Sequence, residues 1–162
     1  TTAPGVWAIG EVAGSPQFTH VSVDDFRVVH ASITGGKRVT TGRQVPFCLF
    51  TDPELARVGL SEREAQAKGI PYRLFKIPMA SVMRATTMSE TRGFMKALVE
   101  VDGDRILGFT GFGVDAGEVL SSVQIAMMGG LPYTALREAI LTHPTLVEGL
   151  IPLFLSTPSL WK

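Results

Sequence analysis

Residues 143–148 read "HPTLVE": a histidine, a proline directly after it, and a glutamate five residues beyond the histidine. Neutral imidazole can accept a thiol proton, and imidazolium can return it, near neutral pH. A nearby carboxylate fixes the ring's tautomer, which is the orienting logic of an acid/base dyad. His143 and Glu148 are therefore candidates for such a pair. Proline forces a turn between them, so helical i,i+4 spacing need not apply. Taken alone, the segment reads as a turn histidine with a helix-start glutamate favoured by the dipole.

A second group lies near the other end. Gly10 closes the apolar run "VWAIG" and lets backbone come close to a ligand. Glu11 follows it as a hydrogen-bond acceptor, or as an ordinary surface carboxylate. Thr19, His20 and Val21 stand where a helix begins, and free N–H groups there favour negative charge. His20 reads equally as a solvent-facing helix-start residue. The one cysteine, Cys48, excludes an intrachain disulfide and any CxxC site. It sits in a strand-like apolar run and reads as a buried structural thiol. No metal site is expected.

These residues need elements to hold them. Residues 6–9 read as a short buried strand, with "GEVAGSPQ" as the loop after it. From about residue 18 to 34, Val23, Phe26, His30 and Ile33 recur at helical spacing, and Gly35-Gly36 supplies a stop. The polar stretch "KRVTTGRQ" is the best domain boundary, giving units 1–44 and 45–162.

The second unit begins with a short strand, "VPFCLF". Ser61 with Glu64 forms a capping box for a helix ended by Gly69. "YRLFKIPM" is another strand. "GFMKALVEV" and "ILGFTGFG" flank Asp102-Gly103 as a hairpin, with Met95, Ala97, Val99 and Val101 on one face. Asp115 with Glu118 repeats the cap pattern for a helix through Met128, striped by Val119, Val123 and Met127. "PYTALREAI" gives a further short helix. Pro152 limits any helix after Pro144 to about two turns, or kinks it. The expected class is α+β: three or four mostly antiparallel strands layered with about four helices.

Composition narrows the function. The chain has 162 residues, 45% hydrophobic and 19% charged, an ordinary globular balance. Fifteen basic residues match fifteen acidic ones, so neither nucleic acid nor a membrane surface is an expected partner. No apolar run approaches the roughly 20 residues a membrane span needs. The thiol count suits a reducing, cytoplasmic setting. The chain opens without methionine and enters an apolar run almost at once, so a preceding segment is expected.

Three segments together carry a resemblance. "PGVWAIGEVAG" over 4–14 resembles the late flavin-binding segment of FAD-dependent pyridine nucleotide–disulfide oxidoreductases of class I. "FTDPELARVGLSE" over 50–62 resembles the opening of that family's dimerisation domain, and "HPTLVE" matches its His-Pro-Thr-x-x-Glu motif. The matches run in order over nearly the whole chain. "MSETRGFMK" over 88–96 is similar to mercuric-reductase-like members. Mercuric reductase itself is disfavoured, since it carries a C-terminal cysteine pair and a tyrosine where His143 stands. Dihydrolipoamide dehydrogenases usually read His-x-His-Pro, and here Leu141 replaces the first histidine.

The resemblance implies a fold, a cofactor and a partner. Residues 1–44 become the last strand–helix piece of an FAD-binding domain, and 45–162 the dimerisation domain. Gly10, Glu11, Thr19, His20 and Val21 become FAD contacts, the last three through backbone. The family has aspartate at position 11, so Glu11 reaches one methylene further towards the ribityl chain. His143 becomes the acid/base and Glu148 its partner, across a cis His-Pro bond, serving the active site of the other subunit of a homodimer. NAD(P)H is the implied cosubstrate. The paired cysteines, the GxGxxG loop and the nicotinamide domain of the family do not occur here, so the chain is expected to be inactive alone. The helix over 117–128 is a candidate interface, or ordinary core packing. Two other readings stay open: a non-catalytic dimerisation module, and part of a transhydrogenase-like flavoenzyme with no redox disulfide.

Overall fold

A computed structural model describes residues 1–162, which divide into two compact units, Thr1–Val45 and Pro46–Lys162. In the first, a 3-10 turn at Gly10–Ala13 precedes helix α1, Thr19–Ile33. The helix ends as its glycine pair predicts. Gly35 takes a φ of 80°, and the Gly36 N–H returns to the Ala31 carbonyl at 2.6 Å.

Two expectations fail in this unit. Residues 6–9 form no strand, and Val6, Trp7 and Ile9 are exposed. A strand needs a ladder partner, and this chain offers none beside that run. The predicted stripe Val23, Phe26, His30 and Ile33 also faces outward, while Val21 and Asp25 are the buried positions of α1. Helical spacing gives a stripe but not the side on which a neighbour lies.

The second unit is a six-stranded, wholly antiparallel sheet in the order β1-β2-β5-β4-β3-β6. The strands are β1 Phe47–Leu49, β2 Glu54–Gly59, β3 Tyr72–Pro78, β4 Phe94–Glu100, β5 Ile106–Gly113 and β6 Ser159–Trp161. Helices α2 Glu62–Ala67, α3 Met83–Thr87, α4 Ala116–Met128, α5 Tyr133–Arg137 and α6 Leu150–Leu155 complete it. The class is α+β with an open antiparallel sheet, as expected, but the strand count exceeds three or four. β2 was hidden because its sequence, "ELARVG", offers little apolar signal, and pairing with both β1 and β5 makes it a strand. β6 is three residues long and is fixed by Trp161 stacking on Tyr72 at 5.5 Å.

Alternation along the strands serves two cores. One face carries Ala56, Val58, Phe75, Ile77, Met95, Ala97, Val99 and Phe109 against Val119 and Val123 of α4 and Leu150, Leu153 and Phe154 of α6. The other face buries Tyr72, Leu98 and Leu107 with Ala65 of α2. The capping box of α2 forms in both directions, with Glu64 N–H donating to Ser61 Oγ and Ser61 N–H to Glu64 Oε2. β4 and β5 pair as predicted, although the Asp102-Gly103 connection is wider than a two-residue turn and a bulge interrupts the ladder at Leu98/Val99.

The expected cap by Asp115 does not form. Asp115 sits at φ 48° and its side chain makes no cap bond. The Glu54 carboxylate of β2 instead accepts the Gly117 N–H at 3.1 Å. A side chain from another strand therefore does the work the local motif suggested. Cys48 is half-buried rather than buried and lies 3.7 Å from Glu54. Burial, with Glu54 beside it, pushes its thiol above the ordinary range, which suits packing rather than reactivity.

Candidate functional site

The segment after α5 turns at His143, whose bond to Pro144 is cis. Thr145 Oγ1 donates to the Thr142 carbonyl at 2.7 Å, closing the turn. The chain then enters a 3-10 turn, Val147–Gly149, that leads into α6. Leu150 and Leu153 are fully buried, so the base of this turn is anchored in the main core. Gly149 permits the anchoring, since a Cβ there would meet Val82 Cγ2 at 2.8 Å and the Met95 thioether at 3.0 Å. Pro152 is the third residue of α6, in the first turn where its missing N–H costs little.

On that base, Glu148 reaches back across the turn. His143 Nδ1 lies 3.0 Å from its Oε1 and 3.2 Å from its Oε2. The Thr145 N–H also donates to Oε2, at 2.9 Å. This backbone bond, with His143 beside it, holds the Glu148 carboxyl below the usual range against a smaller cost of burial. An ionised carboxylate only accepts, so in the neutral ring Nδ1 carries the proton and Nε2 the lone pair. The Glu148 side chain is 21% exposed and that of His143 65%, so the carboxylate is sheltered and the ring open. A cleft of about 200 Å³ adjoins the pair, walled by Ser81, Val82, Met83, Ile151 and Pro152.

Thr145 and the 81–83 segment were not singled out from sequence. Thr145 acts through its backbone N–H, which side-chain identity does not reveal. Residues 81–83 come some sixty positions earlier, and only the fold, with Val82 against Gly149, brings them to the cleft.

The other candidates lie together in the first unit. Gly10 is buried with φ 69°, and a Cβ on it would meet Ser22 Oγ at 2.7 Å. Glu11 is exposed in the first turn of the 3-10 segment. Thr19, His20 and Val21 form the first turn of α1 after Phe18, with Thr19 and His20 exposed and Val21 buried. That turn holds no acidic side chain to offset the dipole.

Sequence reading overlooked Asp25 and Arg43. Asp25 is 5% exposed. Its Oδ2 accepts the Gly10 N–H at 2.8 Å and its Oδ1 meets Arg43 Nη1 at 2.6 Å. The Ser15 hydroxyl, then Arg43 and the Gly10 N–H, lower its carboxyl from 3.8 to about 2. The signal was present: an aspartate four residues after Val21, on the buried side of the helix, must find partners. No group of three or more His, Cys, Asp or Glu side chains gathers as a metal site, and no helix is long and apolar enough to cross a membrane.

Known proteins are similar to this chain in sequence and in fold. Residues 45–152 match the family model described as the pyridine nucleotide-disulphide oxidoreductase dimerisation domain. The chain is 42% identical over 156 residues to the probable pyridine nucleotide-disulfide oxidoreductase RclA of Escherichia coli strain K12, covering 95% of this chain and 35% of that protein. It is 36% identical to a dihydrolipoyl dehydrogenase of Thermus scotoductus over 151 residues, covering 93% and 32%. A solved structure titled HOCl-induced flavoprotein disulfide reductase RclA, from Escherichia coli, superposes with a TM-score of 0.90 at 42% identity, over 94% of this chain and 36% of that one. LpdA from Mycobacterium tuberculosis shares the fold, with a TM-score of 0.86 at 22% identity over 94% and 34%. The chain thus spans about a third of the length of the curated relatives it matches. It belongs to the class I pyridine nucleotide-disulphide oxidoreductase family and carries that family's dimerisation domain.

Proposed function

We propose that this chain is the C-terminal portion of an FAD-dependent NAD(P)H:disulfide oxidoreductase. Residues 1–44 are then the end of the FAD-binding domain and 45–162 the dimerisation domain. The observation that carries the reading is the pairing of His143 Nδ1 with the Glu148 carboxylate at 3.0 Å, on a dimerisation domain, with the imidazole otherwise open.

The chemistry follows from the tautomer. With its proton on Nδ1, His143 offers the Nε2 lone pair to a thiol. The thiolate so formed attacks a disulfide sulfur, the S–S bond breaks, and imidazolium gives its proton to the departing sulfur. Glu148 stabilises the imidazolium and keeps the ring in register. The cysteine pair lies on a polypeptide segment outside this chain, in the partner subunit of a homodimer. The 162 residues alone are therefore inactive.

The first unit suits a flavin. Glu11 is an exposed acceptor for a ribityl hydroxyl, and Gly10 leaves backbone close to the ligand. The amides of Thr19, His20 and Val21 open a helix whose dipole favours the negative charge of reduced flavin. Bound FAD would supply two-electron transfer from NAD(P)H to the cysteine pair. Ile125 and Met128 of α4 and the neighbouring Leu131 expose apolar surface suited to a subunit contact. One cysteine suits a reducing, cytoplasmic setting.

The test is His143→Gln in the full-length flavoprotein. Disulfide reduction should fall by about 10²–10⁴, the usual contribution of a general acid/base, while the flavin band persists. Undiminished turnover, or a full-length protein without flavin, would overturn the reading.

A further inference from the structure

Asp25 holds two parts of the first unit at once. A buried carboxylate is costly unless each oxygen is matched. Here Oδ1 is matched by Arg43, from the connector after α1, and Oδ2 by the Gly10 amide, from the turn before it. Asp24, one residue earlier, also contacts Arg43, at 3.2 Å, and pairs with Arg38. The connector is therefore tied to α1 by two arginines, and the turn by the Gly10 N–H on Asp25, with the Ser15 hydroxyl, two residues past the turn, bonded to the same carboxylate. Apolar packing adds little, since Glu11, Val12 and Ala13 are all exposed. Gly10 is suited to this bond because its positive φ and missing side chain let its backbone lie against Ser22.

We propose that Asp25, braced by Arg43, is a positioning residue for the flavin-facing turn Gly10–Ala13. It fixes the Gly10 amide and so sets where the Glu11 carboxylate stands beside the first turn of α1. The inference rests on the reading of residues 1–44 as flavin-binding. It gives the longer side chain of Glu11 a fixed base, so that its reach is not lost to motion of the turn. Asp25 itself touches no cofactor; it acts through Gly10.

The experiment uses the full-length flavoprotein and measures FAD affinity on apoprotein titrated with FAD, together with the visible flavin spectrum. Asp25→Ala should weaken FAD binding at least about tenfold and alter the band shape. Asp25→Asn keeps an oxygen for the Gly10 N–H and should stay within about threefold of wild type. Asp25→Ala strands Arg43, so Asp25→Ala/Arg43→Leu repeats the measurement without the unpaired guanidinium. Hydrogen exchange on the wild-type holoprotein is independent of any variant and should find the Gly10 amide strongly protected. FAD affinity within twofold of wild type in a folded Ala variant, or a Gly10 amide that exchanges at the unprotected rate, overturns the proposal. A wild-type protein that binds no FAD overturns the flavin reading itself, and this inference with it.

Discussion

Glu148 brackets His143 with both carboxylate oxygens, at 3.0 and 3.2 Å from one ring nitrogen. The Thr145 N–H also holds that carboxylate, and with His143 beside it keeps its pKa below the usual carboxyl range. In the proposed function the carboxylate is a fixed anchor for the ring, and the proton moves at Nε2. Glu148→Gln in the full-length enzyme should lower turnover about ten- to a hundredfold, less than His143→Gln, because orientation is lost but the base remains. Steady-state kinetics of the two variants, with the flavin spectrum as a check on folding, test this: equal losses would contradict the ranking.

The lowered carboxyl of Glu148 has a sign of its own. A group depressed on folding stabilises the fold above its unfolded pKa and ceases to do so as pH falls through the folded value. The turn at 143–148 should hold at pH 5 and loosen only below the ordinary carboxylate range. Carbon chemical shifts of the Glu148 carboxyl, followed through an acid titration, read this directly. A midpoint at or above 4.5 would contradict the geometry.

Asp25 should govern the acid stability of the first unit. Its carboxyl is lowered from 3.8 to about 2. Stability from this group is present in full above pH 5, declines below about 4 and is gone below about 2. Unfolding followed by the fluorescence of Trp7, in a Trp161→Phe background, should show that loss in wild type. Asp25→Asn should flatten it.

Gly149 lies between the core and the carboxylate. Gly149→Ala should cost about 1–3 kcal/mol by overpacking against Val82 and Met95. It should also reduce turnover, because whatever shifts to admit the methyl group shifts Glu148. Thermal unfolding with parallel kinetics tests both halves.

Glu54 should matter to a helix sixty residues away. Removing its carboxylate with Glu54→Ala leaves the Gly117 N–H without its cap, at a cost of about 1 kcal/mol. Asp115→Ala removes no cap bond and should not reproduce that loss. Urea denaturation of the two variants separates them.

Much of the second unit was legible because its signals are local. The capping box at Ser61, the alternation through Met95, Ala97 and Val99, and the glycine stop after Met128 each sit within a few residues of what they control. What escaped depends on distant partners. Residues 54–59 become a strand through neighbours on both sides, and Asp115 loses its role to a carboxylate from another strand. In the candidate site, His143 and Glu148 could be named because they stand five residues apart in a motif that the flanking resemblance supports. Asp25 and Arg43, eighteen residues apart, needed the fold.

The rim of the sheet bears on how copies can meet. Its two outermost strands, Phe47–Leu49 and Ser159–Trp161, are each three residues long. β6 covers β3 only at Tyr72, Arg73 and Leu74, and the uncovered stretch carries Lys76 and ends in Pro78, which has no N–H to donate. Neither border offers a long run of unpaired donors and acceptors. Joining two sheets into one continuous ribbon would yield few bonds, and a ribbon that could be extended again at its far side would be equally poor. The homodimer proposed above would then form on helix surfaces, where a two-fold pairing closes on itself and growth stops at two.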